Sequence, residues 1–314
     1  IGNYLRLSAE STAITSLPQH YSFGLSIINS HLLAGGRLAL TDAAVTQRRF
    51  WDHFELAHVD SLSGVPSTFD LLRAMRFERM SLPSLRTITQ AGGRLSEELV
   101  KSFANLATKH DWRFFIMYGQ TEATARMSYL SPEDVDRYPT SIGHPIPGGR
   151  FELIDEHQRP IREAFVAGEL VYYGTNVMLG YAESKEDLVR GDDMLGRLVT
   201  GDIAERDDSG YFYIRGRKKR FIKLLGNRIG LDEVEKQLAE RGWRILATGH
   251  DDFLLLASTD AESLKQAANT VAEMYRLRSA MIGRLFIPEL PLSSNGKLQY
   301  AELLKRFEQQ ECQL

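Results

Sequence analysis

Residues 118–124 read YGQTEAT and place an aromatic ring, a hydroxyl and a carboxylate within five positions, directly behind the apolar run FFIM. In that order they offer a flat face for a base (Tyr118), a donor for a phosphate oxygen (Thr121) and a hard oxygen ligand of the kind magnesium prefers (Glu122). The plain structural alternative is that Gly119 ends a strand, Thr121 caps the next turn and Glu122 sits in its first turn. A second stretch, AGGRLS at 91–96, pairs Gly92 with Gly93, letting a ligand approach the backbone closely, or else makes an ordinary strand-to-helix turn. Asp202, after Gly201, has the chemistry to accept hydrogen bonds from two vicinal ribose hydroxyls, or to serve as a turn aspartate. The basic run Arg215, Arg217, Lys218, Lys219, Arg220 and Lys223 fits a solvated strand face. Finally, PLSSNGKLQ at 291–299 puts Lys297 on a tight Asn-Gly turn, where a lysine is ordinarily just wet.

These residues need elements to hold them. Between about 13 and 117, short apolar strands (AITS, RLAL, DSLSGVP, LRTITQAG, RFFIMYG) alternate with helix-length segments, the pattern of a parallel sheet with helices packed on it. Ligands of such sheets bind beyond the carboxyl ends of the strands, where both AGGRLS and YGQTE fall. The opening NYLRLSAEST reads as helical. From SIGHPIPGGR at 141–150 the chain becomes strand-rich (RFELID, GELVYYG, RLVTGDI, YFYIRG), with DDSGY at 207–211 as a hairpin turn. Past about 217 it is mixed again: a helix LDEVEKQLAER, strands RILATG and FLLLAS, a helix from Ala261 to about Arg278, a strand RLFIP and a last helix. The expected organisation is α/β, with a parallel-sheet α/β subdomain at 1–145, a small β-rich subdomain at 146–216 and a small, mobile α+β C-terminal domain at 217–314 that hinges near Arg217.

Composition narrows the function. A net charge of −3 over 314 residues gives no reason to bind nucleic acid or anionic lipid. The eight histidines show no metal-ligand spacing, and the one cysteine, Cys312, cannot form an internal disulfide. There is no GxSxG elbow and no Cys/His pair for covalent catalysis. The longest apolar run, Phe253 to Ala257, is too short to span a bilayer, and a cytoplasmic protein is expected.

Taken in order, LPQHYSFGL, AGGRL, YGQTEAT, GELVYYGTNVMLGY, TGD, RGRKKRFIKLLGNRI and PLSSNGK resemble the adenylate-forming (AMP-binding) superfamily, which includes acyl-CoA synthetases, the adenylation domains of peptide synthetases and luciferase. The resemblance covers almost the whole chain. It implies that Tyr118 stacks on adenine within a segment continued by Gly119, that Gly92, Gly93 and Arg94 line the adenine pocket, that Thr121 holds the α-phosphate, and that Glu122 binds Mg2+. It further implies that Asp202 grips the ribose with Arg217 as its basic partner, that Lys219 is the hinge, and that Lys297 bridges the substrate carboxylate and the phosphate. Tyr21, Ser22, Gly24 and Pro66 fall in the acid-substrate pocket. The implied reaction joins a carboxylic acid to ATP, giving acyl-AMP, and then to the thiol of CoA or of phosphopantetheine on an acyl or peptidyl carrier protein.

Two departures carry expectations. The family's Ser/Thr/Gly-rich phosphate loop is not found in these residues, so the chain reads as one lacking an N-terminal subdomain. It is therefore expected to bind AMP better than ATP and to leave one face of the parallel sheet uncovered, and a non-catalytic nucleotide- or acyl-binding module is the alternative. At position 22, where amino-acid-activating members carry an aspartate for the substrate ammonium, this chain has Ser22, which cannot neutralise a buried ammonium. A non-amino aliphatic or aryl acid is expected.

Overall fold

The computed structural model describes every residue except Lys219, Gly226, 294–297 and 312–314. The hinge and the catalytic lysine expected at Lys219 and Lys297 thus lie outside the described residues. Two compact units form, one of residues 1–200 with 205–214, the other of 201–204 with 215–314.

The first unit is built on a seven-stranded sheet. Strands β1 (Thr12–Ile14), β2 (Arg37–Ala39), β3 (Ser61–Gly64), β4 (Thr87–Gln90), β5 (Arg113–Tyr118), β6 (Ser128–Leu130) and β7 (His144–Pro145) lie in the order β2-β1-β3-β4-β5-β6-β7. The first five are parallel, as the strand-helix alternation requires, and β6 and β7 add an antiparallel margin that the sequence pattern does not reveal. Helices α1 (Gly2–Leu5), α2 (Ser22–Leu33), α3 (Arg48–Leu56), α4 (Pro66–Ala74) and α5 (Glu97–His110) cover it. Side chains alternate along each strand. On one face Ile14, Leu62, Ile88, Phe114 and Ile116 join Phe50, Phe54, Phe69 and Phe103 from α3, α4 and α5. On the other, Ala13, Phe115 and Met117 join Leu5, Phe23 and Ile27 from α1 and α2.

Every residue of β1, β3 and β4 is buried, so the expectation of an uncovered sheet face is not met. Apolar exposure lies one layer out. Helix α2 turns Ser26, Ser30 and His31 toward the core, while Leu25, Leu32 and Leu33 are exposed. Ser26 Oγ donates to Phe23 O at 2.7 Å and His31 Nδ1 lies 2.9 Å from Ile27 O, while His31 Nε2 is buried without a hydrogen-bond partner. The opening stretch is helical only over Gly2–Leu5, because Arg6 enters the left-handed region (φ 56°) and ends the turn.

Strands β8 (Arg150–Ile154), β9 (Pro160–Ile161), β10 (Gly168–Tyr173), β11 (Arg197–Arg206) and β12 (Phe212–Arg217) form a five-stranded sheet in the order β12-β11-β10-β8-β9. Asp207 to Tyr211 closes the hairpin: the Asp207 amide donates to Tyr211 O at 3.0 Å, and Gly210 takes φ 88°.

The second unit carries the hairpin β13 (Phe221–Leu224) and β14 (Asn227–Gly230), then α6 (Leu231–Ala239), β15 (Leu246–His250), β16 (Phe253–Ser258), α7 (Ala261–Tyr275), β17 (Ile282–Phe286) and α8 (Tyr300–Glu311). Its three-stranded sheet runs β15-β16-β17. The central FLLLAS strand is buried on both faces, Leu254 and Leu256 packing with α6 and α7, and Leu255 and Ala257 with Leu285 and Leu303.

Candidate functional site

Strand β5 ends at Tyr118, whose ring packs edge-on against Phe151 at 6.2 Å between centroids. The chain then turns sharply. Gly119 passes so close to the Ala125 carbonyl that any β-carbon there would collide with it. A single 3₁₀ turn, Thr121–Ala123, follows. Gln120 occupies its N-cap position and no side chain caps it, so Thr121 is not the cap that the structural alternative supposes. A three-residue turn also has too few aligned peptide dipoles for Glu122 to complement. Thr124 (φ 51°) and Ala125 (φ 67°) are both left-handed. For residues with a β-carbon this costs about 1–2 kcal/mol each, and such backbone persists only where its surroundings hold it.

The polar groups freed by this geometry converge. Thr121 Oγ1 lies 2.9 Å from Ser22 Oγ at the start of α2, joining the residue expected at the phosphate to one expected in the acid pocket. Glu122 Oε1 accepts from Tyr181 Oη at 2.9 Å, and Gln120 Nε2 donates to Thr200 O at 2.9 Å. The glycine pair lies beside the same end of the sheet. Gly92 (φ 83°) runs against Tyr21, whose Oη would stand 2.5 Å from a β-carbon there, and a β-carbon on Gly93 would stand 3.0 Å from Pro66 Cγ. Gly24 is pressed against Pro18 O. Ser96 caps α5 by accepting from the Leu99 amide at 3.3 Å, so AGGRLS is also the strand-to-helix turn of the plain reading. Arg94 is exposed. Tyr21, Ser22, Pro66, Gly92, Gly93, Thr121 and Glu122 are therefore gathered beyond the carboxyl ends of β3, β4 and β5.

Behind this turn lies Arg126, fully buried at 1% exposure. Its guanidinium sits 4.5 Å over the Phe23 ring, donates from Nε to Ser26 Oγ at 3.1 Å and meets Met117 Sδ. Burial pushes its pKa down, and the groups that oppose this are the neutral Tyr4 and Tyr21 hydroxyls, not carboxylates. Burial in turn raises the Tyr21 hydroxyl's pKa.

In the second unit, Asp202 is 4% exposed at its side chain and accepts from Arg217 Nε at 3.0 Å, so the two residues expected to grip ribose are paired. Beside them Arg220 reaches Asp232, Glu235 (2.8 Å) and Ala247 O (2.7 Å), and lies 3.8 Å over the Tyr300 ring.

Among the described residues no three His, Cys, Asp or Glu side chains group into a metal cage. A lone carboxylate such as Glu122 suits magnesium, which keeps most of its shell as water and phosphate oxygens. Sequence reasoning missed Arg126, Asn176 and Tyr181. The last two stand in GTNVMLGY, where a polar Asn and Tyr amid apolar neighbours were the available signal.

The AMP-binding enzyme family matches residues 1–182, and the chain belongs to it. Among curated relatives, the chain is 26% identical to the luciferin 4-monooxygenase of Photuris pensylvanica, over 98% of this chain and 58% of that protein. It is 25% identical to the 4-hydroxybutyrate--CoA ligase 1 of Metallosphaera sedula, over 91% of this chain and 53% of that protein. The chain thus spans rather more than half the length of these relatives. The fold matches O-succinylbenzoate coenzyme A synthetase of Bacillus subtilis, solved with AMP (TM-score 0.75, 21% identity, 96% of this chain and 62% of that one). It also matches the same synthetase solved with ATP and a magnesium ion (TM-score 0.73, 20% identity, 96% of this chain and 63% of that one). The mixed architecture, a largely parallel sheet with smaller sheets beside it, is that of adenylate-forming enzymes.

Proposed function

We propose that this chain carries the nucleotide and acid sites of an AMP-forming acid–thiol ligase, which makes acyl-AMP from ATP and a non-amino carboxylic acid and passes the acyl group to CoA or to a carrier protein's phosphopantetheine. The observation that carries this reading is the convergence of Ser22, Thr121 and Glu122, with Tyr21 against Gly92, beyond the strand ends. In it Tyr118 stacks on adenine beside Gly92, Gly93 and Arg94, and Thr121 donates to the α-phosphate. Asp202, with Arg217, accepts from the ribose hydroxyls. Magnesium, when bound at Glu122, would offset phosphate charge. Lys297 would supply positive charge as the carboxylate attacks phosphorus, and Lys219 would be the hinge of a 217–314 domain distinct from 1–145 and 146–216. The relatives' names supply the ligase class, and Ser22 in place of a carboxylate supplies the preference for acids without an ammonium. A cytoplasmic location fits this reading.

Trapping acyl-AMP with hydroxylamine tests it. These residues alone are expected to be inactive or impaired in adenylation, so the test uses the full-length protein that carries the phosphate loop: supplied with ATP and magnesium, it should give hydroxamates of aliphatic or aryl acids and none of α-amino acids. Lys297→Ala should lower the yield about a hundred- to a thousand-fold. Hydroxamates from α-amino acids alone would refute the substrate class.

A further inference from the structure

The segment 174–181 lies across the 121–126 turn and takes up its backbone. Asn176 Nδ2 donates to Ala123 O at 2.7 Å and to Arg126 O at 2.8 Å, while its Oδ1 accepts from Tyr172 Oη at 2.8 Å. Both amide hydrogens are thus spent on carbonyls, which fixes which end of the side chain is nitrogen. Thr124 Oγ1 donates to Asn176 O at 2.6 Å, and the Met178 amide donates to Glu122 O at 2.8 Å. The last contact is Tyr181 Oη on Glu122. The carbonyls so held flank Thr124 and Ala125, the two left-handed residues.

We infer that Asn176 is a positioning residue: its two donors hold the 121–126 turn in the left-handed conformation that presents Thr121 and Glu122 at the site. Neither residue of the strained pair is glycine, so the conformation needs an outside restraint; within the turn the Ala123 carbonyl receives only a long 3.4 Å bond from the Arg126 amide, which leaves it open to the shorter donation from Asn176. Tyr172, itself fully buried in β10, anchors the asparagine from the other side. Asparagine suits the position because it alone offers two short, forked donors and an acceptor; aspartate, its near-isostere, would set a carboxylate against two carbonyl oxygens.

The structural part stands on geometry alone, and the functional part rests on the nucleotide reading, so two readouts separate them. Without ligand, hydrogen exchange of the amides in 119–127 should rise tenfold or more in Asn176→Ala and in Asn176→Asp, while those in 246–258 keep the wild-type rate. AMP affinity by calorimetry should fall about tenfold in both. Adding Ala125→Gly to Asn176→Ala, which removes the β-carbon that penalises the left-handed backbone, should restore part of that affinity. Unchanged exchange in 119–127 for both variants would overturn the inference, as would raised exchange with unchanged AMP affinity. A wild-type protein that binds no AMP would remove the nucleotide reading, and exchange would still decide whether Asn176 holds the turn.

Discussion

Arg126 and Arg220 are both arginines withdrawn from water, and they are held in opposite ways. Arg220 answers its burial with two carboxylates, a backbone carbonyl and the face of Tyr300. Glu235 is itself tied to the Ala247 amide and the Tyr300 hydroxyl, at 2.8 and 3.1 Å. Arg126 has the Ser26 and Tyr4 hydroxyls, a thioether and an aromatic face, and no carboxylate among the described residues. A buried ion loses several kcal/mol of hydration, which partners of opposite charge offset far better than neutral ones do. Arg220 is thus an organising element of its unit, whereas Arg126 is a standing electrostatic cost kept directly behind the turn that presents Thr121 and Glu122. An uncompensated cation beside a proposed phosphate site is consistent with the greater strain that functional regions tolerate.

The comparison breaks or sharpens under the same substitution at both sites. Arg220→Met should be the most damaging, because it strands Glu235 and Asp232 together; breaking such a pair costs about 3–5 kcal/mol. Denaturant unfolding followed by tryptophan fluorescence of Trp243 would read it, and a loss below 1 kcal/mol would mean the network contributes little. Arg126→Met should move the other way, leaving stability unchanged or raising it by about 1–4 kcal/mol, as when buried charges give way to apolar residues of similar volume. The same variant should bind AMP a few-fold more weakly. A clear loss of stability would show that Ser26, Phe23 and Tyr4 compensate the charge in full.

The smallest expected effect is a pH dependence. His31, buried in α2 with its Nε2 unpartnered, has its pKa lowered by burial, against the opposing influence of the Ile27 hydrogen bond and Asp60. The unfolded chain then binds the proton more readily than the folded one, so His31 contributes stability that is present above pH 6.5 and lost progressively as the pH falls below it. His31→Gln should flatten stability between pH 5 and 7, as read by thermal unfolding; an unaltered profile would assign the slope to other groups.

How much of this was legible depended on the range of the interactions. The alternation of Phe114 and Ile116 against Phe115 and Met117 is written in four adjacent letters, and each pair does face a different core. Three of the ordered motifs, LPQHYSFGL, AGGRL and YGQTEAT, likewise contain residues that the fold brings together beyond the strand ends. The role of Asn176 was not legible: a polar letter amid apolar neighbours sets it apart, but its partners Ala123 and Arg126 lie 53 and 50 residues away and nothing in the sequence points to them. Nor were Thr124 and Ala125, whose left-handed backbone is imposed from outside on residues that do not favour it. Helix α2 misleads for a different reason: its polar and apolar residues are mixed around the axis, with no amphipathic period to say that serines face inward and leucines outward. Strand β9 is two residues long and rests on its pairing with Leu153 and Ile154 alone.

The central claim is that the turn from Tyr118 to Glu122 is a nucleotide site, and calorimetric titration of the protein with AMP tests it most directly. Wild type should bind one AMP, Thr121→Val should weaken binding about tenfold by removing the phosphate donor while keeping the shape, and Tyr118→Ala should weaken it further by removing the stacking face. Binding that neither substitution alters, or no binding by the wild type, would contradict the account.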